Sequence, residues 1–175
     1  MIIALTGYMG AGKTSVGVRL AKLAGFDFID LDDFITEATG LTPAEIIRQY
    51  GERALRIAEN KALNEILQER DDLVLALGGG TLTEAFNFNM VNNYTFLVFL
   101  DTPFEVILKR LQNARVDRPL LKKHKDGSLD EEQIRAHYEK RLPLYRKARL
   151  IFPNDYPDAG QAAEKLFERI QKETN

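Results

Sequence analysis

The segment at positions 7–14 reads GYMGAGKT and follows directly on the apolar run IIAL at 2–5. It fits the pattern G-x-x-x-x-G-K-[ST], a loop in which backbone N–H groups surround phosphate oxygens. Its glycines let the backbone approach the phosphates with no Cβ in the way. Positions 13–24 then have the pattern of a helix, whose N-terminal dipole favours the same anion. We therefore predict a strand, a phosphate-binding loop and a helix; the alternative is a glycine-rich turn that binds nothing.

The loop gives different tasks to its side chains. Lys13 brings a compact positive charge to the β- and γ-phosphates, and the hydroxyl of Thr14 can ligate Mg²⁺. The predicted nucleotide-binding residues of this segment are Gly10, Ala11, Gly12, Lys13, Thr14 and Ser15.

Composition excludes several classes of protein. With 175 residues and 45% hydrophobic content, we expect one globular domain over 1–175. The net charge of −2 gives no basic excess for nucleic acid, and the absence of cysteine excludes disulfides and thiolate metal sites. No apolar stretch approaches the ~18 residues that span a bilayer, and a core strand at the start leaves no room for a signal peptide. We expect a cytoplasmic protein with no nucleic-acid or membrane partner.

Five short apolar runs alternate with longer amphipathic stretches, a pattern typical of a parallel sheet covered by helices on both faces. The predicted strands lie at 2–5, 26–29, 73–77, 96–100 and 150–152. The predicted helices lie at 13–24, 33–39, 43–50, 52–70, 86–92, 103–111, 130–148 and 157–173. A long segment with little apolar periodicity remains at 112–128, and such segments are often lids. The predicted fold class is α/β, with three layers (α/β/α) around a five-stranded parallel sheet.

Two further segments follow apolar runs, where the carboxyl ends of parallel strands bind ligands. Asp30 and Asp32 can both face this crevice if the extended backbone continues through Asp32. One carboxylate could then hold Mg²⁺ and the other a substrate hydroxyl, or the two could cap the next helix. The glycines at 78–80 predict either close approach of a ligand to the backbone or a mobile turn.

Other polar residues do not indicate a functional site when each is considered alone. Arg56 and Glu59 are three apart on a predicted helix, and a surface ion pair is the simplest interpretation of that spacing. The two histidines, His124 and His137, form no cluster and are given no catalytic or metal role. The Tyr-Pro pair at 156–157 follows the fifth run, where it either borders a nucleotide base or forms an ordinary turn.

Taken together, the order and spacing of these segments resemble the shikimate kinase family. In that family the phosphate loop is accompanied by a D-x-D pair, a G-E-x-x-F-R-x-x-E helix, a triple glycine, an R-P-L-L lid and an R-x-P-x-Y segment. This chain carries the corresponding segments at 30–32, 51–59, 78–80, 118–121 and 141–145. The resemblance implies the P-loop kinase fold, with substrate-binding helices over about 32–60 and a mobile lid over about 112–128.

The resemblance also implies an activity. The γ-phosphoryl group of ATP would pass to the 3-hydroxyl of shikimate, giving shikimate 3-phosphate and ADP in chorismate and aromatic amino-acid biosynthesis. Thr14 and, through water, Asp30 would hold Mg²⁺. Asp32 would bind the substrate hydroxyls and orient or deprotonate the nucleophile. Lys13 and the lid residue Arg118 would stabilise charge on the transferring group.

Substrate contacts are implied in the same way. Arg56 and Arg141 would clamp the shikimate carboxylate, because a guanidinium fork matches two carboxylate oxygens. Glu59 would steady the arginine side, and Arg110 would lie near adenine. The implied shikimate-binding residues are Asp32, Arg56, Glu59, Gly78, Gly79, Gly80, Arg118 and Arg141, and the implied ATP-binding residues outside the phosphate loop are Arg110 and Arg118.

Two positions depart from the family pattern. Leu55 and Ile47 stand where phenylalanine is usual, and the loss of aromatic area could loosen the pocket or change which cyclic polyol acid fits best. The alternative functions are a kinase of another small hydroxylated acid such as gluconate, and a nucleotide-binding regulatory module. No N-K-x-D or T-K-x-D guanine signature is present. We expect a monomer with ATP and shikimate as its ligands.

Overall fold

One parallel sheet, with strand order β2-β3-β1-β4-β5, lies at the centre of the computed structural model, which describes residues 1–114, 121 and 127–174. The strands are β1 Ile2–Thr6, β2 Asp27–Asp30, β3 Leu73–Ala76, β4 Phe96–Asp101 and β5 Leu150–Pro153. Ile3 pairs with Val74 of β3 on one side and with Phe96 of β4 on the other. The first strand of the chain is therefore the central strand of the sheet.

Eight α-helices surround the sheet within the described ranges. They are α1 Lys13–Ala24, α2 Leu31–Thr39, α3 Pro43–Tyr50, α4 Glu52–Glu69, α5 Ala85–Tyr94, α6 Phe104–Asn113, α7 Glu131–Tyr145 and α8 Ala159–Thr174. A short 3-10 turn, Thr81–Thr83, lies between β3 and α5. The predicted α/β class and five-stranded parallel sheet are confirmed, and no predicted end of an element is wrong by more than three residues.

Side chains alternate along the strands and fill two apolar layers. In β1, Ile2 and Ala4 belong to one layer, whereas Ile3 and Leu5 belong to the other. The first layer packs on α2 to α5, and the second packs on α1 and α8. A third apolar cluster joins Tyr8 of the phosphate loop to β4, α6 and α7. Because helices cover both faces, every residue of β1 is buried.

The carboxyl ends of three adjacent strands bring the candidate site residues together. The phosphate loop follows β1, Asp30 ends β2, and the glycines at 78–80 follow β3. The extended backbone expected through Asp32 is wrong, because α2 begins at Leu31. Asp32 lies instead in the first turn of that helix, where it still lines the crevice.

Most of the predicted lid lies outside the described residues. Since α6 ends at Asn113, the first two residues of the predicted lid are helical. Residues 115–120 and 122–126, which include Arg118 and His124, are not described, so the lid and its arginine stay predictions. Among the helices of the described ranges, none is long and apolar enough to cross a membrane.

Candidate active site

Two glycines and a lysine determine the shape of the phosphate loop. Gly10 and Gly12 have φ angles of 81° and 95°, a left-handed conformation that residues with a Cβ rarely adopt. The Lys13 ammonium donates to the carbonyl oxygens of Gly7 at 2.9 Å and of Tyr8 at 3.1 Å. The ammonium is thus held within the loop, close to where the motif places the β- and γ-phosphates.

A buried polar network anchors the loop to the sheet. The carbonyl oxygen of Ala11 accepts from Thr102 Oγ1 at 2.8 Å and from Asn154 Nδ2 at 3.0 Å. The Asn154 amide also donates to Thr102 Oγ1 at 2.9 Å, and both side chains are buried. Neither residue was a candidate from the sequence, although each directly follows a strand, the position that drew attention to the segment after Asp30.

Asp30 makes two contacts at once. Its Oδ2 accepts from Thr14 Oγ1 at 2.6 Å, which joins the end of β2 to the phosphate loop. Its Oδ1 accepts from the Asp32 N–H at 3.1 Å and caps the N-terminus of α2. The metal-site and helix-cap interpretations of this residue therefore do not exclude each other, because they use different carboxylate oxygens.

Asp32 combines burial with a set of neighbouring charges. Burial raises the pKa of this carboxyl to about 6, with Asp30 adding to the rise and Lys13 opposing it. A carboxylate whose pKa is near neutrality is suited to accept a proton from a substrate hydroxyl. Asp32 therefore has the properties of a general base.

Two cavities meet at Asp32. The first, of about 510 Å³, is lined by the phosphate loop, Arg110 and the segment after β5; we call it the loop cavity. The second, of about 600 Å³, is lined by α2, α3, α4 and the glycine segment and includes Arg56 and Arg141; we call it the arginine cavity. The residues that line both cavities are Met9, Thr14, Asp30, Asp32, Gly78 and Gly79. A ligand in one cavity can therefore react with a ligand in the other beside Asp32.

The pair Arg56 and Glu59 is buried, so the expected surface ion pair is wrong. Arg56 Nη1 donates to the two carboxylate oxygens of Glu59 at 2.8 and 2.7 Å, and the residues are 6% and 1% exposed. Arg56 Nη2 also donates to Glu52 at 2.9 Å, and Thr81 Oγ1 donates to Glu59 at 2.7 Å. Burial opposes the charge on Arg56, but Glu59 and Glu52 outweigh it and raise the pKa of the guanidinium. Arg56 is thus a fixed positive charge on the wall of the arginine cavity.

The glycine segment after β3 makes room for side chains. A Cβ on Gly80 would overlap the guanidinium of Arg56 and lie 3.1 Å from Arg141 Nη2. The carbonyl oxygen of Gly79 accepts from the Tyr145 hydroxyl at 2.5 Å. Burial raises the pKa of Tyr145 to about 12, which keeps this hydroxyl protonated. Groups of the protein itself therefore approach this backbone closely, and the approach of a ligand to it stays a prediction.

Residues from three parts of the chain border the loop cavity. Arg110 Nη1 donates to the carbonyl oxygen of Gly10 at 3.0 Å. Tyr156 lines the same cavity and stacks on Phe152, with ring centroids 5.7 Å apart. Ser15, at the start of α1, also lines it. The segment after β5 is therefore part of the cavity wall, and its place beside a nucleotide base stays a prediction.

Leu55 and Ile47 lie on the wall of the arginine cavity. Leu55 is buried and Ile47 is partly buried against the same apolar layer. Both departures from the family pattern therefore lie in the arginine cavity, and neither alters a polar contact described above.

Comparison with known proteins identifies the family of this chain. The family model described as shikimate kinase matches residues 9–171. A shikimate kinase from Chlorobium phaeovibrioides is 37% identical over 175 residues, which cover 98% of this chain and 88% of the relative. Another from Bacteroides fragilis is 39% identical over 173 residues, which cover 99% of this chain and 90% of the relative. The chain belongs to the shikimate kinase family.

Solved structures of shikimate kinases share the fold. The Acinetobacter baumannii enzyme in complex with shikimate matches with a TM-score of 0.89 at 37% identity, covering 98% of this chain and 93% of that one. The Bacteroides thetaiotaomicron enzyme matches with a TM-score of 0.88 at 33% identity, covering 98% of each chain. The activity predicted from the sequence, ATP-dependent phosphorylation of shikimate, is confirmed by this family membership. Membership of this family also decides against the two alternatives considered from the sequence, a gluconate kinase and a nucleotide-binding regulatory module.

Proposed function

We propose that this shikimate kinase transfers the γ-phosphoryl group of Mg·ATP to the 3-hydroxyl of shikimate, with Asp32 orienting and deprotonating that hydroxyl. The observation that carries the proposal is the position of Asp32 on the shared wall of the two cavities. ATP would occupy the loop cavity, and shikimate would occupy the arginine cavity. The reacting oxygen and phosphorus would then meet beside a carboxyl whose pKa is raised to about 6.

The arginine cavity supplies the charge that a carboxylate ligand requires. Arg56 and Arg141 are 6% and 7% exposed, so a carboxylate bound to them is removed from water. Charge-assisted hydrogen bonds are strong in such a setting, because solvent screens them weakly. Glu59 already holds the Arg56 side chain, so little conformational entropy is lost when substrate binds. The cavity is therefore preorganised for the carboxylate of shikimate.

Stabilisation of the transferring group is assigned to the phosphate loop and the lid. Lys13 would exchange its contacts with the loop carbonyls for contacts with the β- and γ-phosphates. Arg118 would add a second positive charge when the lid closes and would exclude water. Because phosphoryl transfer passes through a loose transition state, positioning and charge neutralisation supply most of the catalysis. All of these groups belong to one chain, so the proposed active unit is a single-domain monomer.

Mg²⁺ is the proposed cofactor, and the residues present fit it. Thr14 Oγ1 and Asp30 Oδ2, which lie 2.6 Å apart, would hold the ion directly or through water. Mg²⁺ typically takes one or two protein ligands beside phosphate oxygens and keeps several waters. This agrees with the described ranges, which contain no group of three or more histidine or acidic ligands. When bound with ATP, the ion neutralises charge on the phosphates.

A coupled assay of ADP release tests the proposal by comparing shikimate with its neutral carboxamide. We expect the parent enzyme to use shikimate well and the carboxamide poorly. Arg141→Ala should raise the shikimate KM by roughly thirtyfold or more, since truncating one partner of a desolvated charge pair costs about 2–5 kcal/mol. The KM for ATP should barely change. The variant should also discriminate much less between the two compounds.

Two further variants make the result specific. Arg53→Ala is the matched control, because Arg53 lies on the same helix as Arg56 but is exposed. Its shikimate KM should stay near that of the parent. The double variant Arg56→Ala/Glu59→Gln removes both charges of the buried pair. A thermal melt is used to check that this variant folds. Equal turnover of shikimate and its carboxamide by the parent enzyme would show that Arg56 and Arg141 do not bind the carboxylate.

A further inference from the structure

A hydrogen bond from Tyr8 connects the phosphate loop to α7, and the reaction scheme above does not use it. Tyr8 Oη and His137 Nδ1 lie 2.7 Å apart, and Tyr8 is completely buried. Burial lowers the pKa of His137 to about 4, with Arg141 acting in the same direction. The imidazole is therefore neutral at pH 7, and Nδ1 and the tyrosine hydroxyl share one hydrogen bond whose donor is set by the tautomer of the ring.

Tyr8 also belongs to the framework of the loop. Its carbonyl oxygen accepts from the Ala11 N–H at 3.0 Å and from the Lys13 ammonium at 3.1 Å. Its ring lies edge-on to the rings of His137 and Tyr138, with both centroids 5.5 Å away. A shift of Tyr8 would therefore move the turn of the loop and the ammonium together.

One face of α7 touches both the loop and the glycine segment. His137, Arg141 and Tyr145 follow one another at a spacing of four residues, so they lie on the same side of the helix. His137 contacts the phosphate loop, and Tyr145 donates to the carbonyl oxygen of Gly79. Arg141 lies between them, beside Gly80. The helix that carries a carboxylate-binding arginine is thus attached at both ends of this face.

We propose that His137 is a positioning residue, which acts through Tyr8 to set the phosphate loop against Arg141 and so aligns ATP with the shikimate hydroxyl. This inference rests on the proposed function, because it takes Arg141 as the group that binds shikimate. Apolar contacts alone would hold the Tyr8 ring in its layer, whereas a hydrogen bond of 2.7 Å also fixes its direction. Alignment matters because a misplacement of about 1 Å can slow a reaction about a hundredfold.

A double-mutant cycle tests the inference. Tyr8→Phe removes the hydroxyl and keeps the ring, and we expect kcat to fall about three- to tenfold, the size of one hydrogen bond. The KM for ATP and the KM for shikimate should each change by less than about twofold, because neither Tyr8 nor His137 is among the described residues that line the two cavities. His137→Phe should lower kcat similarly, and the double variant should be no slower than either single variant. His137→Gln keeps an acceptor and should recover part of the rate.

Tyr138→Phe is the matched control. It removes a hydroxyl from a neighbouring ring of the same cluster, and the described residues give that hydroxyl no hydrogen-bond partner. An unchanged kcat in Tyr8→Phe, an equal loss in Tyr138→Phe, or losses that multiply in the double variant would overturn the inference. A lower thermal midpoint with kcat intact would overturn it too, because the bond would then be structural only. If the parent enzyme failed to phosphorylate shikimate, the proposed function itself would fall.

Discussion

Replacing Asp32 with asparagine should make the enzyme more stable and far less active. The pKa of Asp32 rises from 3.8 to about 6 in the native state, mainly through burial. At about 1.36 kcal/mol per pKa unit, holding this carboxylate charged above pH 6 costs the native state about 3 kcal/mol. Asparagine has nearly the same shape and no charge, so the variant should gain stability of up to this order.

The stability gained by Asp32→Asn should depend on pH, because the pKa of Asp32 is raised in the native state. The native state binds this proton more tightly than the unfolded chain does, so the parent has its full stability contribution from Asp32 below pH 3.8. It loses that contribution as the pH rises through about 6. The difference in unfolding free energy between Asp32→Asn and the parent should therefore be about 3 kcal/mol at pH 7.5 and roughly half of that at pH 5.

Urea unfolding without nucleotide or metal, at the two pH values, measures this difference. Glu37→Gln, which removes an exposed carboxylate from the same helix, is the matched control. In the coupled assay, kcat of Asp32→Asn should fall roughly a hundredfold or more, because the amide cannot accept the hydroxyl proton. The parent kcat/KM should rise with pH and be half-maximal near pH 6. A variant no more stable than the parent, or a difference that does not grow with pH, would refute the reasoning.

Three other changes test other parts of the site. Lys13→Ala should abolish phosphoryl transfer, because it removes the positive charge that the loop motif places on the β- and γ-phosphates; ADP release near the parent rate would contradict this. Gly80→Ala should raise the shikimate KM roughly tenfold or more without changing the KM for ATP, because the new methyl group overlaps Arg56. An unaltered shikimate KM would show that Arg56 can move aside. Arg118→Ala should lower kcat more than ATP affinity, since a lid arginine acts in the closed state; a raised ATP KM at equal kcat would make it a simple binding residue.

Local patterns were enough to predict the elements and the phosphate loop. Apolar runs and amphipathic stretches have periods that can be read from neighbouring residues, and the loop motif is contiguous. The burial of Arg56 and Glu59 could not be predicted in this way. Two opposite charges at a spacing of three residues give the same sequence pattern on a buried helix face and on an exposed one. What covers this pair is a tertiary contact, with Thr81 of the turn after β3. The start of α2 was predicted two residues late, because both Asp30 and Asp32 were possible caps from the sequence and the structure uses Asp30.

Contacts between distant parts of the chain were the hardest to foresee. Tyr8 and His137 are 129 residues apart, and Thr102 and Asn154 are 52 residues apart. The local sequence around each of these residues gives no sign of its partner. The partners come together only through the order of the strands and the placement of α7. The family resemblance named the residues expected around the substrate and gave Glu59 a steadying role beside the arginines, but it implied nothing of the contacts of Tyr8 with His137 or of Thr102 with Asn154.

The fit between Gly80 and Arg56 restricts how this enzyme can diverge if Arg56 binds the acceptor's carboxylate as proposed. Any side chain at position 80 would displace the guanidinium, so a substitution there is penalised as long as the acceptor is an acid. Leu55 and Ile47 form an aliphatic wall that can change without disturbing a charge. A lineage that adopts a new acid as acceptor should therefore vary at these two positions first. Position 80 should become free to change only after the acceptor has lost its carboxylate.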